Sequence, residues 1–291
     1  MTDHSANPFE TPRPRGVPAL QGTLRVIVSC YCFGVAAARF HQGEIDPAAS
    51  LFLATNPNDQ AALATASNLI AYFMVFTGVM TLLRPVHLLS LLVMIHAASA
   101  ACADAFDSAT PAQAWEPILN ATRWMAPFAL LLLDLWPPRV KASLVMCVAS
   151  VALLRLAAVA TFVVQGFICL QQCHAGGDWA DLVQQAARHG FHREINDSTA
   201  QFVLGVIGAT LIAFAATIYS SRKVSDLFLV AFGAFIWTLV PLFALGRAGY
   251  DETLLRCSEW GAPLVVALFQ LLAIRRRPVE YVPERSGTRS H

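Results

Sequence analysis

The stretch "RWMAPFALLLL", Arg123–Leu133, has an echo in "EWGAPLVVALF", Glu259–Phe269. Trp, Ala and Pro stand at the same offsets in both, and an apolar run follows each. A Trp ring is favoured at a membrane–water interface, and a Pro in the first helical turn removes an N–H that has no helical partner. Both stretches therefore predict a helix entering a bilayer, with Pro127 and Pro263 in its first turn. The leading residues differ in charge, Arg123 in one and Glu259 in the other. If two halves of the chain meet around a central axis, these two lie at similar depth and form a candidate inter-repeat pair.

The composition agrees with a membrane setting. Of 291 residues, 56% are hydrophobic and 13% charged, against about 25% charged in an average soluble domain. The mean hydropathy is +0.53. Several apolar blocks approach the roughly 20 residues that a helix needs to cross about 30 Å of hydrocarbon. The expected fold is all-α, a polytopic transmembrane helical bundle whose lasting partner is the lipid bilayer. The net charge of +1, with no basic patch outside the chain ends, gives no footing for nucleic acid.

Eight apolar helices are predicted, near 21–40, 66–83, 86–104, 122–136, 142–170, 199–219, 225–246 and 260–275. Pro137-Pro138 ends the fourth, and Pro241 predicts a kink in the seventh. The Pro-rich segment 1–20 and the segment 278–291 read as tails. A secretory signal over "LRVIVSCYCFGVAAA" is the competing reading of the first helix. Arg25 interrupts it, and it has a counterpart later in the chain.

Loop charges set an orientation. One set of helix ends carries Arg13, Arg15, Arg84, Arg139, Lys141, Arg222, Lys223 and Arg275-Arg276-Arg277. The other carries Glu44, Asp46, Asp59, Asp104, Asp107, Glu116, Asp178, Asp181, Asp197, Asp251 and Glu252. Positive charge collects on the cytoplasmic side. Both termini are expected in the cytoplasm, in a multi-pass protein of a bacterial inner membrane.

The pass also exposes a repeat. Leu24-Arg25 matches Leu154-Arg155, "RPV" at Arg84 matches "RKV" at Arg222, and Trp124 matches Trp260. Order and topology recur together, which predicts two four-helix membrane units, 21–138 and 139–277. Four is even, so both insert in the same orientation, related by an axis along the membrane normal.

With Arg25 and Gly34 in one half, and Arg155 and Gly166 in the other, each unit resembles the DoxX-like family of small four-helix membrane proteins. Two fused copies and the long acidic loops depart from the usual single unit. The resemblance implies a membrane subunit linked to quinone and redox chemistry, with quinone as the possible cofactor and redox subunits as possible partners. A structural or assembly protein without a ligand is the alternative, and a small-molecule transporter with a site at the repeat interface is another.

The candidate intramembrane polar site consists of Arg155, Gln165 and His96. Arg155 lies inside an apolar block, and its helical face includes Phe162, Gln165, Cys169 and Gln172. An arginine within hydrocarbon costs at least about 2.5 kcal/mol on insertion scales, so it requires a partner. A site for an anion or a quinone carbonyl is one reading; a structural arginine on backbone carbonyls is the other. His96 sits beside the small residues "AASAA", which fits a packed neutral histidine or a proton relay. No second axial ligand stands at its depth, which argues against haem.

The seven Cys include no CxxC pair, and Cys173, His174, His189 and His192 match no zinc spacing. No metal is expected. Cys173 and Cys257 fall on the same side and are possible disulfide partners. Trp179, Leu182, Val183, Ala186 and Ala187 step at helical spacing with polar residues between, which predicts an amphipathic interfacial helix. Leu51, Phe52 and Leu53 suggest a second.

Overall fold

The computed structural model describes residues 16–53, 60–83, 86–106, 113–133 and 144–274. The two tails, the turn at Arg84 and the segment holding Pro137-Pro138, Arg139 and Lys141 lie outside the described residues. So do Asp59 and Asp107. Of the basic loop residues, Arg222 and Lys223 are described.

Among the described residues every regular element is helical. The order is α1 Val17–Ala37, continued by a π-helical turn Ala38–Gln42, α2 Pro47–Leu53, α3 Gln60–Leu83, α4 His87–Phe106, α5 Glu116–Leu119 and α6 Ala121–Leu133. Then come α7 Leu144–Ala175, α8 Asp178–Phe191, α9 Asp197–Ser220, α10 Val224–Thr238, α11 Val240–Leu245, α12 Tyr250–Leu255 and α13 Cys257–Ile274. Five described spans are long and apolar enough to cross a membrane: Val17–Gln42, Gln60–Leu83, Val145–Ala175, Asp197–Ser220 and Val224–Leu255. Three shorter apolar helices, His87–Ala103, Ala121–Leu133 and Cys257–Leu272, accompany them. The chain is a multi-pass membrane protein.

The surface agrees. Tyr219 is 77% exposed, Phe202 72% and Leu229 68%. A monomeric soluble chain rarely exposes so much contiguous apolar surface, whereas lipid tails solvate it.

Four helices form the centre. α1 touches α6 and α13, and α7 touches the same two. The outer helices attach in matching order: α3 on α1, α9 on α7, α4 on α6 and α10 on α13. Leu154, Phe162, Leu204, Leu211, Leu130 and Val265 fill the interior. In lipid the apolar environment is the same inside and outside the bundle, so close packing and polar contacts hold helices together. Two glycines show this at the α7–α9 seam. A Cβ on Gly208 would lie 2.9 Å from the Gly166 carbonyl oxygen, and one on Gly166 would lie 2.8 Å from that of Gly208.

The breaks have local causes. Asn196 accepts the Thr199 amide at 2.9 Å and so caps α9. Pro241 produces its expected distortion two residues early: α10 ends at Thr238, and α11 restarts at Val240 with Pro241 in its first turn. That is where a residue without an N–H is tolerated. The amphipathic segment forms α8, burying Ala180, Val183 and Ala186 against α9 and α11.

Pro127 and Pro263 depart from expectation. Both lie inside their helices, because α6 starts at Ala121 and α13 at Cys257. Each therefore removes an interior hydrogen bond and leaves the carbonyl four residues earlier without its helical N–H. Those carbonyls belong to Arg123 and Glu259.

Gly208→Val should lower the thermal unfolding midpoint in detergent, by about 1–3 kcal/mol of stability from overpacking. Gly22→Ala, where an added Cβ meets no described residue within 4 Å, should leave the midpoint unchanged or slightly raised.

Candidate functional site

At the acidic ends of the helices lies a cavity of about 230 Å³. Val35, Ile45, Ala97, Ala100, Ala101 and Leu255 form its apolar wall, and Tyr31, Asp46, His96, Arg123 and Glu252 its polar one. α1, α4, α6 and α12 contribute, together with the loop after α1, so residues far apart in the chain line it.

A hydrogen-bonded chain runs along the polar wall. His96 Nε2 is 2.9 Å from Asp46 Oδ2, and His96 Nδ1 is 3.1 Å from the Tyr31 hydroxyl. With Asp46 ionised, Nε2–H donates to the carboxylate, and Nδ1 accepts from Tyr31 when the ring is neutral. Asp46 is itself fixed. Its Oδ1 accepts the Ala48 and Ala49 amides at 2.9 and 3.3 Å, capping α2, and its own N–H donates to the Ser67 hydroxyl at 3.0 Å. Burial alone would push the Asp46 carboxyl up. The hydrogen bond and charge of His96, with the two amides, outweigh it and hold Asp46 below its ordinary 3.8. Glu44 goes the other way, raised first by burial and then by the like charges of Asp251 and Glu252.

Arg39 braces this wall. It donates to Asn68 Oδ1 at 2.7 Å and to the carbonyls of Gly43, Glu44 and Ala64. These bonds hold the loop after α1 against α3. Gln42 then reaches across to Asp251 Oδ2 at 2.6 Å and the Ala248 carbonyl at 2.7 Å, joining that loop to α12.

Beside the cavity four charges interlock. Arg123 Nη2 lies 3.2 Å from Glu252 Oε1. Arg256 Nε lies 3.4 Å from the same oxygen and 3.2 Å from Glu259 Oε1. The Arg256 guanidinium also covers Trp179 and Trp237, at 5.3 and 5.5 Å from the ring centres. Glu259 is within electrostatic reach of Arg123, but the closest cation to it is Arg256. Thr122 and Ser258, each two residues before its repeated Trp, hydrogen-bond to each other at 3.1 Å while fully buried.

Arg155 stands far from this cavity, at the basic end. Its Nε donates to the Ile218 carbonyl at 2.5 Å and its Nη2 to that of Ser221 at 2.7 Å. It thus satisfies carbonyls at the C-terminus of α9, where cation and helix dipole attract. It stands level with the Arg222-Lys223 turn rather than at the middle of the bundle, because α7 extends past the end of α9. Gln165 is 1% exposed, and its Oε1 has no hydrogen-bond partner among the described residues. The structure therefore separates the three members of the candidate polar site: His96 lines the cavity, Arg155 caps α9, and Gln165 sits within the core.

Cys257 bonds to the Cys30 thiol, whereas the Cys173 thiol donates to the Leu170 carbonyl at 3.0 Å. Among the described residues no three His, Cys, Asp or Glu side chains converge to hold a metal ion. His189 Nδ1 instead meets the Ala244 carbonyl at 2.6 Å.

Sequence reasoning passed over Tyr31, Asp46, Glu252 and Arg256 as site residues. Asp46-Pro47 did carry a local signal, an N-cap followed by a Pro at the first helical position. Tyr31, inside an apolar run, carried none. Comparison with family models, with curated proteins and with solved structures finds no match.

Removing one member of a buried ion pair strands the other. Arg256→Gln should cost about 3–5 kcal/mol, and adding Glu259→Gln should recover part of the loss in a double-mutant thermal series. The Asp46 prediction concerns acid. A carboxyl held below its ordinary value contributes stability that is complete above that value and lost as pH falls through the lowered one. The midpoint difference between the native chain and Asp46→Asn should therefore be widest near neutrality and close at strongly acidic pH, as read by melts along a pH series.

Proposed function

We infer that the chain is an eight-span membrane protein of two related four-helix halves, its acidic end outside, and that its cavity binds a small molecule with a proton-exchanging head group, of the quinone class. The observation that carries the binding reading is the Asp46–His96–Tyr31 chain along the wall of the cavity. A volume of about 230 Å³ is below the roughly 300–1,000 Å³ of drug-sized sites. It suits a single ring whose oxygen faces Tyr31 and whose edge lies on the alanines of α4. Tyr31 would accept a proton from the hydroxyl of the reduced ring, the quinol, while passing its own to His96. Asp46 orients the imidazole and stabilises its cationic form.

The halves are supported by the matching attachments of outer helices to inner ones and by the Thr122–Ser258 contact between equivalent positions. The DoxX-like resemblance points to the same ligand class. Arg155 has no place in this site; its two carbonyl bonds support a structural role for it.

The test is saturable quenching of Trp fluorescence by a short-chain ubiquinol added to the detergent-purified chain. Tyr31→Phe loses one hydrogen bond and should weaken binding by up to about tenfold, and His96→Gln should weaken it as well. Leu229→Ala, on the lipid-facing surface, should bind as the native chain does. Absence of saturable binding to the native chain, or equal affinity in all variants, would overturn the reading.

A further inference from the structure

The thiols of Cys30 and Cys257 face each other across the seam between the first and last apolar helices. Cys30 is half-buried in α1, and Cys257 is the first residue of α13. The two side chains are hydrogen-bonded, and both cysteines are free.

Close backbone approach flanks the pair on both sides. One turn beyond Cys30, a Cβ on Gly34 would lie 2.9 Å from the Leu255 backbone nitrogen and 3.1 Å from the Asp251 carbonyl oxygen. One turn before Cys30, Ile27 packs against Gly261 so tightly that an added Cβ there would clash with its side chain. Ile27, Cys30 and Gly34 share one face of α1, at i, i+3 and i+7. They meet Gly261, Cys257 and Leu255 in reverse order, as antiparallel neighbours must. The two glycines thus bring the helices together on either side of the thiols, and that proximity is what a disulfide requires.

We propose that Cys30 and Cys257 form a redox site, oxidised to an intramolecular disulfide by a small disulfide. Cys30, the more exposed thiol, attacks as its thiolate and gives up its proton. A mixed disulfide forms between Cys30 and one half of the oxidant, and the other half leaves as a thiol. Cys257 then loses its proton and attacks the Cys30 sulfur, releasing the second half. Two protein thiols become one disulfide, and one oxidant disulfide becomes two thiols, so two electrons and two protons pass to the oxidant. The bond ties α1 to α13 beside the turn that carries Tyr31 into the cavity. Reduction frees that turn. This inference does not depend on which ligand the cavity takes.

The experiment treats the native full-length chain, in detergent, with 4,4′-dithiodipyridine. Peptide mapping without reduction should show the Cys30 peptide joined to the Cys257 peptide, with the loss of two hydrogens. The thermal midpoint should rise on oxidation and return on addition of a phosphine reductant. Cys30→Ser should leave Cys257 without the cross-link, which separates Cys30 from Cys32 on the same peptide, and Cys257→Ser should stop at the mixed disulfide on Cys30. The proposal is overturned if Cys257 stays alkylatable after treatment, if both cysteines carry separate pyridyl adducts, or if Cys257 links to Cys32 or Cys173 instead.

Discussion

A buried carboxylate sets the terms for the acidic end of the molecule. Glu259 is 2% exposed, in an apolar helix, and an unpaired charge there is prohibitively costly. Arg256 neutralises it. Arg256 is almost as buried and needs its own surroundings, which Glu252 supplies with charge and Trp179 and Trp237 with ring faces. That arrangement fixes how α8, α10, α12 and α13 meet. Glu252 passes the constraint on to Arg123 and α6. The cavity is bounded on one side by this network and on the other by Asp46 and His96.

The two polar assemblies share a logic. Each holds an acid below the surface with a cation or imidazole, and each draws its members from distant parts of the chain. Asp46 and His96 join the start of α2 to α4, while Arg123 and Glu252 join α6 to α12. Low local dielectric strengthens both assemblies and makes a missing member expensive. The same rigidity holds the Tyr31 hydroxyl and the His96 imidazole in hydrogen-bond register.

The basic end is built more simply. Arg155 spends its donors on the free carbonyls of α9, which would otherwise be stranded at a helix terminus. The arginine on the α9 carbonyls and the hydrogen-bonded His96 thus lie at opposite ends of the bundle.

Much of the architecture was legible in the sequence. The apolar blocks, Pro241, the amphipathic run around Trp179 and the repeated Trp-x-Ala-Pro each act through the backbone or through local burial. Periodicity and composition capture those effects. The position of Pro127 and Pro263 was misjudged because α6 begins at Ala121 and α13 at Cys257, each three residues ahead of its Trp, which leaves the prolines past the first turn. The site was less visible. Arg155 looked central because depth was counted along its own helix, whereas its level is set by where α9 ends. Asp46 looked like one more loop acid, Tyr31 like one more apolar neighbour, and Cys257 was matched to Cys173 by side alone. Which acid meets Arg123, and which thiol meets Cys257, depends on how helices rotate and slide against one another. Glycine contacts and buried charges decide that only once the whole bundle is assembled, so the sequence determined the helices and the tertiary structure chose their partners.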